Sequence, residues 1–478
     1  MNLRLLGIGC LLLLGSALSS CAGRTGPPAR PGARQLPGLG LGVHDHIESV
    51  DFAVAGDSVL HLVWRVRFGD EGGLFEKRQI WYRRGDLKNK LWSSPHLLVD
   101  GTWRGYDVPG THFTSSGRPV RTGEPRILSL GSGIHVIVSD SLRHFFSGDE
   151  GATWKEESPL LPQHFGVAQS IDVASDSVSL YVAYIARRYP RAVPPLGMEP
   201  PHRGESDLSE APQSVWVTRW TEGEKPSTTW VQSIGEKTPW SPLKLRLGGE
   251  GMDLFCTANE LERFTKTDFR MTGWLFHSSS RDKAKTWTNR DSSGYDDGIF
   301  EFDVAVTGTE RSVFQAGHPR LSGLPGLHCA RWQGGAWSSS YGVAKAKDAP
   351  FCNYNRVTSI NAATHGDKGQ LVWIDTRYQR AESPLLNPLA WLPWVGEPGW
   401  GNNDVLAVPF SEVIRGSTVA RTLQPTRLTK DLSYAEFVRA RAEKDRVYVV
   451  WSGRSKVGKD ITSANQPPEI FYTILPRE

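Results

Sequence analysis

The chain is poor in the residues that staple small folds or hold metal ions. Its 478 residues include only 5 cysteines, none in a C-x-x-C spacing, so the sequence predicts neither a metal centre nor a bound cofactor. The net charge is only +4 and the basic residues are not clustered, which argues against a nucleic-acid-binding protein. No stretch beyond the N-terminus is apolar for long enough to form a transmembrane helix, and none shows sustained helical periodicity.

A secretion signal occupies the N-terminus. Arg4 precedes an apolar run over residues 5–14, which is too short to span a bilayer as a mature helix. The sequence LSSC, ending at Cys21, resembles the bacterial lipobox. The resemblance implies that Cys21 becomes the acylated N-terminus and that the protein has a membrane as partner. The alternative is an ordinary secretory signal cleaved near Ala22.

The residue after the lipobox cysteine bears on localisation. In enteric bacteria an aspartate at this position retains lipoproteins in the inner membrane. Ala22 stands there in this chain, so the sequence favours the outer membrane of a bacterial cell envelope.

Composition divides the chain into three segments. Residues 1–21 form the signal peptide, and residues 22–42, rich in Pro, Gly and Arg, predict a flexible tether. Residues 43–478 form the folded domain. Two insertions, 189–213 and 378–402, break its rhythm, and long irregular loops of this kind are often functional.

The folded domain repeats a unit of one alternating strand, a short polar turn and a more apolar strand. Such alternation is typical of half-buried strands. The strong copies are 50–67, 125–140, 170–187, 302–318, 359–377 and 436–454, and a weak copy is 243–258. Most are followed by an outer hairpin with a tryptophan at the start of its return strand: Trp92, Trp154, Trp230, Trp287 and Trp337.

An inner and an outer hairpin together make one four-stranded antiparallel blade. Blades repeated around a central axis make a propeller, which protects its strand edges. The sequence therefore predicts an all-β propeller of six or seven blades. We expect Glu469–Leu475 to close the ring by pairing near residues 43–50.

Two of the outer hairpins carry the same short motif. Residues 147–154 read SGDEGATW and residues 280–287 read SRDKAKTW, with Ala284 where the first copy has Gly151. The aspartate of such a turn accepts hydrogen bonds from backbone N–H groups ahead of it. The motif resembles the Asp-box of the sialidase-like (BNR-repeat) β-propellers. The resemblance assigns a structural role, away from the catalytic face, to Ser147, Asp149, Gly151, Trp154, Ser280, Asp282 and Trp287.

Arginines recur where the inner hairpins end, and we expect them to gather at one end of the propeller. Arginine suits bidentate carboxylate binding, and sialidases hold the sialic acid carboxylate with three arginines. The candidate ligand-binding residues are Arg67, Arg126, Arg320, Arg377 and Arg454, with Trp391, Trp394 and Trp400, whose rings can stack on sugars. The alternatives are salt bridges between blades for the arginines and packing on the propeller rim for the tryptophans.

The catalytic pattern of the sialidases is largely missing. Their first arginine lies in an R-I-P run, whereas residues 125–128 read PRIL. The family pairs a tyrosine nucleophile with a glutamate and uses an aspartate as acid/base. Tyr434 and Asp375 are the candidates here, but the later strand VYVVW provides no glutamate in the expected place. A local ion pair with Arg377 is the alternative role for Asp375.

The leading hypothesis is a cell-envelope-anchored lipoprotein whose propeller binds a glycan or an envelope protein without catalysis. The alternative is a glycoside hydrolase of the exo-α-sialidase type, and a third option is a scaffold subunit of an envelope complex. Such folds can hold Ca²⁺, but no dense acidic loop indicates it. With Cys21 acylated, Cys256, Cys329 and Cys352 allow at most one intramolecular disulfide.

Overall fold

The computed structural model describes residues 33–56, 58–68, 75–104, 124–139, 141–162, 165, 168, 170–188, 213–235, 242–248, 251–263, 269–288, 291–295, 301–317, 326–333, 336–338, 341–345, 357–375, 404–415, 425–429, 432–455 and 466–477.

Within these ranges nearly all regular structure is β-strand. The strands are β1 (Arg34–Gln35), β2 (His46–Ala55), β3 (Val59–Phe68), β4 (Phe75–Asp86), β5 (Leu91–Trp92), β6 (His96–Arg104), β7 (Pro125–Leu130), β8 (Gly133–Val138), β9 (Arg143–Ser147), β10 (Lys155–Glu157), β11 (Ile171–Ser175), β12 (Ser179–Arg187), β13 (Gln213–Thr221), β14 (Ser227–Gly235), β15 (Leu243–Gly248), β16 (Gly251–Arg263), β17 (Phe269–Ser280), β18 (Asp291–Tyr295), β19 (Glu301–Thr307), β20 (Glu310–Gly317), β21 (Gly326–Gln333), β22 (Ala336–Trp337), β23 (Tyr341–Lys345), β24 (Val357–His365), β25 (Lys368–Asp375), β26 (Asp404–Pro409), β27 (Thr426–Arg427), β28 (Leu432–Glu443), β29 (Arg446–Ser455) and β30 (Pro468–Pro476). One short helix, α1 (Phe410–Arg415), follows β26. In the part of the chain that is described, no helix has the length and apolar character needed to cross a bilayer.

The strands form seven antiparallel sheets, named blades I to VII in the order of their inner strands. Blade I is β2–β6, blade II β7–β10, blade III β11–β14, blade IV β15–β18, blade V β19–β23, blade VI β24–β27, and blade VII β28–β30 with β1. The predicted all-β propeller is confirmed, and the number of blades is seven. The weak sequence copy at 243–258 is the inner hairpin of blade IV, β15–β16.

The inner strands contact one another around a closed ring in the order β2, β7, β11, β15, β19, β24, β28 and back to β2. Each inner strand begins at the same end of the propeller, here called the loop face, and ends at the opposite end, the turn face. The turns within the inner hairpins lie at the turn face and are short. The connections from the second to the third strand of each blade begin and end at the loop face, and those over 189–212 and 376–403 are the longest.

Both termini contribute to closure of the ring. β30 pairs with β29 on one side and with β1 on the other, so β1 is the outermost strand of blade VII. The closing partner is therefore β1, whereas the segment near 43–50 leads into the inner strand of blade I. Leu36 is only 1% exposed, and its N–H donates to the Ile470 carbonyl at 2.8 Å. Residues 33–42, assigned to the tether by composition, thus pack against the propeller.

The core lies between blades and alternates along each second strand. In β3, Trp64 packs into the contact between blades I and VII, while Val63 packs into the contact between blades I and II. Trp373 and Trp451, which precede the predicted arginines in blades VI and VII, are also fully buried. The described strands of each blade therefore bury side chains on both faces of the sheet against the neighbouring blades.

Candidate functional site: wall and mouth of the central channel

One polar residue on each inner strand lies at a common level near the axis. We call this set the charge belt; its members are Asp51, Arg126, Asp172, Lys244, Asp303, Asn361 and Arg439. Four hydrogen bonds between blades establish the level. In each bond a belt side chain accepts a backbone N–H group of the next blade: Asp51 from Ile127 at 3.1 Å, Asp172 from Leu245 at 2.9 Å, Asp303 from Ala362 at 2.8 Å and Asn361 from Ala440 at 3.4 Å. Each donor directly follows the belt residue of its own strand.

The charges of the belt alternate around the ring. From blade I to blade VII the signs are minus, plus, minus, plus, minus, neutral and plus. Two signs cannot alternate around an odd number of positions without placing two like charges side by side. Asn361 removes this conflict, because an aspartate there would adjoin Asp303 and a cation would adjoin Arg439. The belt is therefore electrically balanced and serves cohesion between blades.

Two further arginines lie two residues after belt residues on the same inner strands, on the turn-face side of the belt, and pair with its aspartates. The Arg246 guanidinium contacts Asp172 at 2.9 Å and also pairs with Asp303, which joins blades III, IV and V. Arg441 donates to Asp51 at 3.1 Å and to the Ile127 carbonyl at 2.9 Å, which joins blades VII, I and II. Burial opposes ionisation of Asp172, but the nearby cations outweigh it and lower its pKa.

Arg126, predicted to bind a ligand, belongs to this belt. Its guanidinium contacts Glu124 at 3.2 Å. Burial would lower its pKa, yet attraction to Glu124, Asp51 and Asp172 outweighs burial and raises it. The described contacts of this arginine are thus with its own blade, and only electrostatic attraction links it to Asp51 and Asp172 of the neighbouring blades.

At the loop face, three arginines of blade I surround one glutamate. Glu48 lies at an irregularity in the pairing of β2 with β3, between Ile47 and Ser49. Its carboxylate contacts Arg65 at 2.8 Å, Arg78 at 3.3 Å and Arg67 at 3.7 Å. The predicted ligand-binding residue Arg67 thus converges with two other arginines, but on a carboxylate of the chain itself.

Arg454, a third predicted ligand-binding residue, fastens the start of the fold to blade VII. Its guanidinium donates to the carbonyls of Val43 at 2.9 Å, Asp45 at 2.7 Å and Gln466. Three N–H groups of the guanidinium thus donate to backbone carbonyls. The arginine is buried, so its described contacts are those of a structural clamp.

Glu436 of blade VII lies close to these groups. It falls at an irregularity in the pairing of β28 with β29, between Ala435 and Phe437. Burial raises the pKa of Glu436 to about 7, against the attraction of Arg454 and Arg67 and with the repulsion of Glu48. A carboxyl group with this pKa can carry or release a proton near neutral pH, which is the property of a general acid.

This pKa makes folding stability depend on pH. The folded-state pKa lies above the ordinary value of 4.5, so the contribution of Glu436 is fully present below about pH 4.5 and is lost as the pH rises through about 7. Between about pH 5 and pH 8, the titration of Glu436 should lower the free energy of unfolding by on the order of 2 kcal/mol. We expect this part of the pH dependence to be absent in Glu436→Gln. Urea unfolding at both pH values measures it, with exposed Glu412→Gln as the control. Equal pH dependence in Glu436→Gln and the unchanged protein would show that Glu436 titrates normally.

The remaining predicted residues are placed only in part. The backbone of Asp375 pairs with Val357 and Asp404 at the loop-face end of β25, and the backbone of Tyr434 pairs with Arg454. The side chains of Asp375 and Tyr434 lie outside the described part, as do Arg320, Arg377, Trp391, Trp394, Trp400 and Cys21. Tyr434 nevertheless lies two residues before Glu436 on the same strand, so a glutamate follows this tyrosine within β28 and not in the later strand VYVVW.

The two repeated turns share one hydrogen-bond pattern. Asp149 accepts bonds from Ser147 Oγ, Thr153 N–H and Thr153 Oγ1 at 2.8, 2.8 and 2.6 Å. In the second copy, Asp282 accepts the same bonds from Ser280 and Thr286 at 2.9, 2.9 and 2.6 Å. Ala284 adopts a positive φ of 65°, where Gly151 has 87°. Both turns lie at the turn face, in blades II and IV, away from the channel mouth.

Packing fixes the tryptophan of each repeated turn. Trp154 is half-buried, and its ring meets Tyr82 edge-on with the centroids 4.7 Å apart. Trp287 packs against the core between blades III and IV. The motif therefore joins neighbouring blades and takes no part in the mouth.

No group of three or more His, Cys, Asp or Glu side chains in the described ranges could hold a metal ion. Cys256 and Cys329 are buried and form no disulfide, and Cys352 lies outside the described part. A cavity of about 320 Å³ is bordered by Phe146, Glu157 and Trp220 on the outer strands of blades II and III. It is remote from the inner strands that form the mouth.

No protein-family model and no curated protein matches the chain. Solved structures that resemble it include the endosialidase of phage phi92, at 9% identity and a TM-score of 0.43, over 93% of this chain and 69% of that one. The GH93 α-L-arabinofuranosidase of Fusarium graminearum has 9% identity and a TM-score of 0.38, over 93% and 97%. Hydrazine synthase of Kuenenia stuttgartiensis has 10% identity and a TM-score of 0.46, over 90% and 96%. These similarities are too weak to bear on function.

Proposed function

We propose that this chain is a lipid-anchored propeller of the bacterial cell envelope that binds a glycan at its loop face without hydrolysing it. Ala22, which follows the lipidation cysteine, favours the outer membrane. The observation that carries the proposal is the state of the arginines. Arg67, Arg126 and Arg454 each engage acceptors of the chain itself. A sialidase needs arginines committed to the substrate carboxylate.

The loop face supplies the surface for binding. The ends of β25 and β26 pair there, at Asp375 and Asp404. The connection between them contains Trp391, Trp394 and Trp400, and flat aromatic rings stack on the CH faces of sugars. In this proposal the rigid propeller presents these tryptophans, and the lipid on Cys21 keeps the protein at the membrane.

A glycan array with the chain from Ala22 onward tests the proposal, because this form keeps β1 and lacks only the signal peptide and Cys21. We expect a bound glycan whose affinity falls at least about tenfold when Trp391, Trp394 and Trp400 are replaced together by alanine. Trp230→Ala is the matched control, since Trp230 is 49% exposed on the outer strand β14. Binding only to an envelope protein, or a glycan affinity that the triple variant leaves unchanged, would contradict the proposal.

The second candidate function is an exo-α-sialidase-type hydrolase, and one observation favours it. Glu436 has a pKa raised to about 7 by burial and follows Tyr434 by two residues. A tyrosine with a nearby glutamate is the nucleophilic pair of sialidases. The arginine contacts described above weigh against this candidate.

A further inference from the structure

The N-terminal segment joins the propeller from the turn face. β30 is the third strand of blade VII and runs from the loop face to the turn face. β1 pairs antiparallel to it, with Arg34 opposite Tyr472 and Gln35 opposite Phe471. β1 therefore runs from the turn-face side toward the loop face, where β2 begins.

The distance from the lipidation cysteine to β1 is short. The segment 22–32 separates Cys21 from the first described residue, and its full extension is about 40 Å at most. A coil of this composition spans less on average. If Cys21 is acylated, as the proposed function requires, the edge of blade VII that carries β1 is held near the bilayer.

Exposed apolar side chains concentrate at this same end. The exposed large hydrophobic residues of the described part are Val43, Leu91, Val178, Trp230, Leu247 and Ile474. Leu91, Leu247 and Ile474 lie at the turn-face ends of their strands, and Val178 lies in the turn-face turn that precedes β12. Leu91 is 66% exposed and Ile474 is 38% exposed. Leu91 directly precedes Trp92, whose ring contacts Tyr472 of blade VII, two residues before Ile474.

A turn of blade I holds Leu91 outward. The Asp86 carboxylate accepts the N–H groups of Lys88 and Asn89, each at 3.0 Å. Lys90 adopts a φ of 57°, a conformation that only a well-determined turn maintains in a non-glycine residue. Trp92, which directly follows Leu91, contacts Tyr472 of blade VII with the ring centroids 5.7 Å apart. The turn is thereby fixed against the strand that pairs with β1.

The charges around the two apolar residues favour an anionic surface. We call Arg34, Lys88, Lys90, Leu91, Arg446 and Ile474 the anchor-side patch. Its four cations exceed the three nearby carboxylates, Asp86, Glu443 and Asp445. Asp86 is held in its own turn, and Asp445 faces Arg446 at 3.8 Å. Cations that flank protruding apolar side chains suit a phospholipid surface, where headgroups attract the former and acyl chains accept the latter.

We propose that the anchor-side patch docks onto the anionic phospholipid surface that holds the lipid anchor, and that docking turns the loop face away from the membrane. This inference rests on the lipid anchor of the proposed function. Docking converts a loose tether into a fixed orientation, because the anchor supplies a high local concentration of the surface.

Fluorophore quenching tests the docking. The full acylated protein, with Cys352→Ser, carries an environment-sensitive fluorophore on Leu91→Cys or, as the loop-face control, on Val43→Cys. It is reconstituted in vesicles of phosphatidylethanolamine and phosphatidylglycerol containing brominated acyl chains. We expect quenching at residue 91 to exceed quenching at residue 43 by at least about twofold. Lys88→Glu with Lys90→Glu, or vesicles of phosphatidylcholine, should remove most of the difference.

Two contrary results separate the proposals. Equal quenching at both positions in protein whose N-terminal peptide carries acyl chains by mass spectrometry would overturn the docking and leave the anchor intact. An N-terminal peptide without acyl chains would overturn the anchor and with it this inference. Glycan binding by the chain from Ala22 onward depends on neither result.

Discussion

Asp303→Ala is expected to lower the free energy of unfolding by about 3 kcal/mol, because it removes a buried carboxylate that two partly buried cations of the neighbouring blade share. Asp303 is 4% exposed and contacts Lys244 at 3.6 Å and Arg246. It also accepts the Ala362 N–H of the next blade at 2.8 Å. The substitution thus removes a charge, an acceptor and a link across blades IV, V and VI. Urea unfolding followed by circular dichroism measures the loss.

A series of variants separates these contributions. Asp303→Asn keeps an acceptor for the Ala362 N–H and loses only the charge, so its effect should be smaller than that of Asp303→Ala. Adding Lys244→Met to Asp303→Ala should recover part of the loss, because the cation that pairs with Asp303 then disappears together with it. Arg246 is kept in this variant because it also pairs with Asp172. The exposed Asp367→Ala is the control. Purely additive losses in the double variant would contradict the charge belt.

Gly151→Ala is expected to cost about 2–4 kcal/mol through overpacking and an unfavourable positive φ. A Cβ atom at this position would lie 1.8 Å from the Tyr82 hydroxyl oxygen. That hydroxyl cannot move freely, because it bonds to His61 at 2.7 Å and to the Glu150 carbonyl at 3.2 Å. The contact joins blades I and II, so we expect thermal unfolding at a lower temperature with the same cooperativity.

The second copy of the turn provides the matched comparison. Ala284 has the same kind of positive φ, 65°, but its methyl group is buried in the core between blades III and IV. Ala284→Gly relieves the backbone and loses the buried methyl, so its stability should stay within about 0.5 kcal/mol of the unchanged protein. A large loss in Ala284→Gly, or none in Gly151→Ala, would show that the two turns differ from this description.

Most of the fold could be predicted from period-2 alternation. The alternation failed at two places, the hairpin of blade IV and β1, and each failure has a physical cause. The hairpin of blade IV looked weak because its inner strand, LKLRLG, carries Lys244 and Arg246. Their charges are balanced by Asp172 and Asp303 from neighbouring blades, which no local pattern contains. β1 escaped notice because two residues in a Pro- and Gly-rich segment have no periodicity, and its partner lies at the opposite end of the chain.

The site was less predictable, because its geometry depends on contacts between blades. The arginines were recognised by residue type, but their partners were not: Glu48 and Glu436 sit at irregularities of strand pairing, which sequence alternation does not reveal. A usable signal was present for the charge belt. The runs VDFA, IDVA, FDVA and INAA at residues 50, 171, 302 and 360 place Asp or Asn at the same point of four inner strands.

Hydrolysis of a fluorogenic α-sialoside tests the central claim, that the arginines at the mouth serve the fold and not a substrate. The chain from Ala22 onward is assayed between about pH 5 and pH 8, a range that brackets the Glu436 pKa, beside Tyr434→Phe and Glu436→Gln. We expect no turnover by any of these proteins. Turnover by the unchanged chain that both substitutions abolish, while each variant stays folded, would contradict it and assign the sialidase pair to Tyr434 and Glu436.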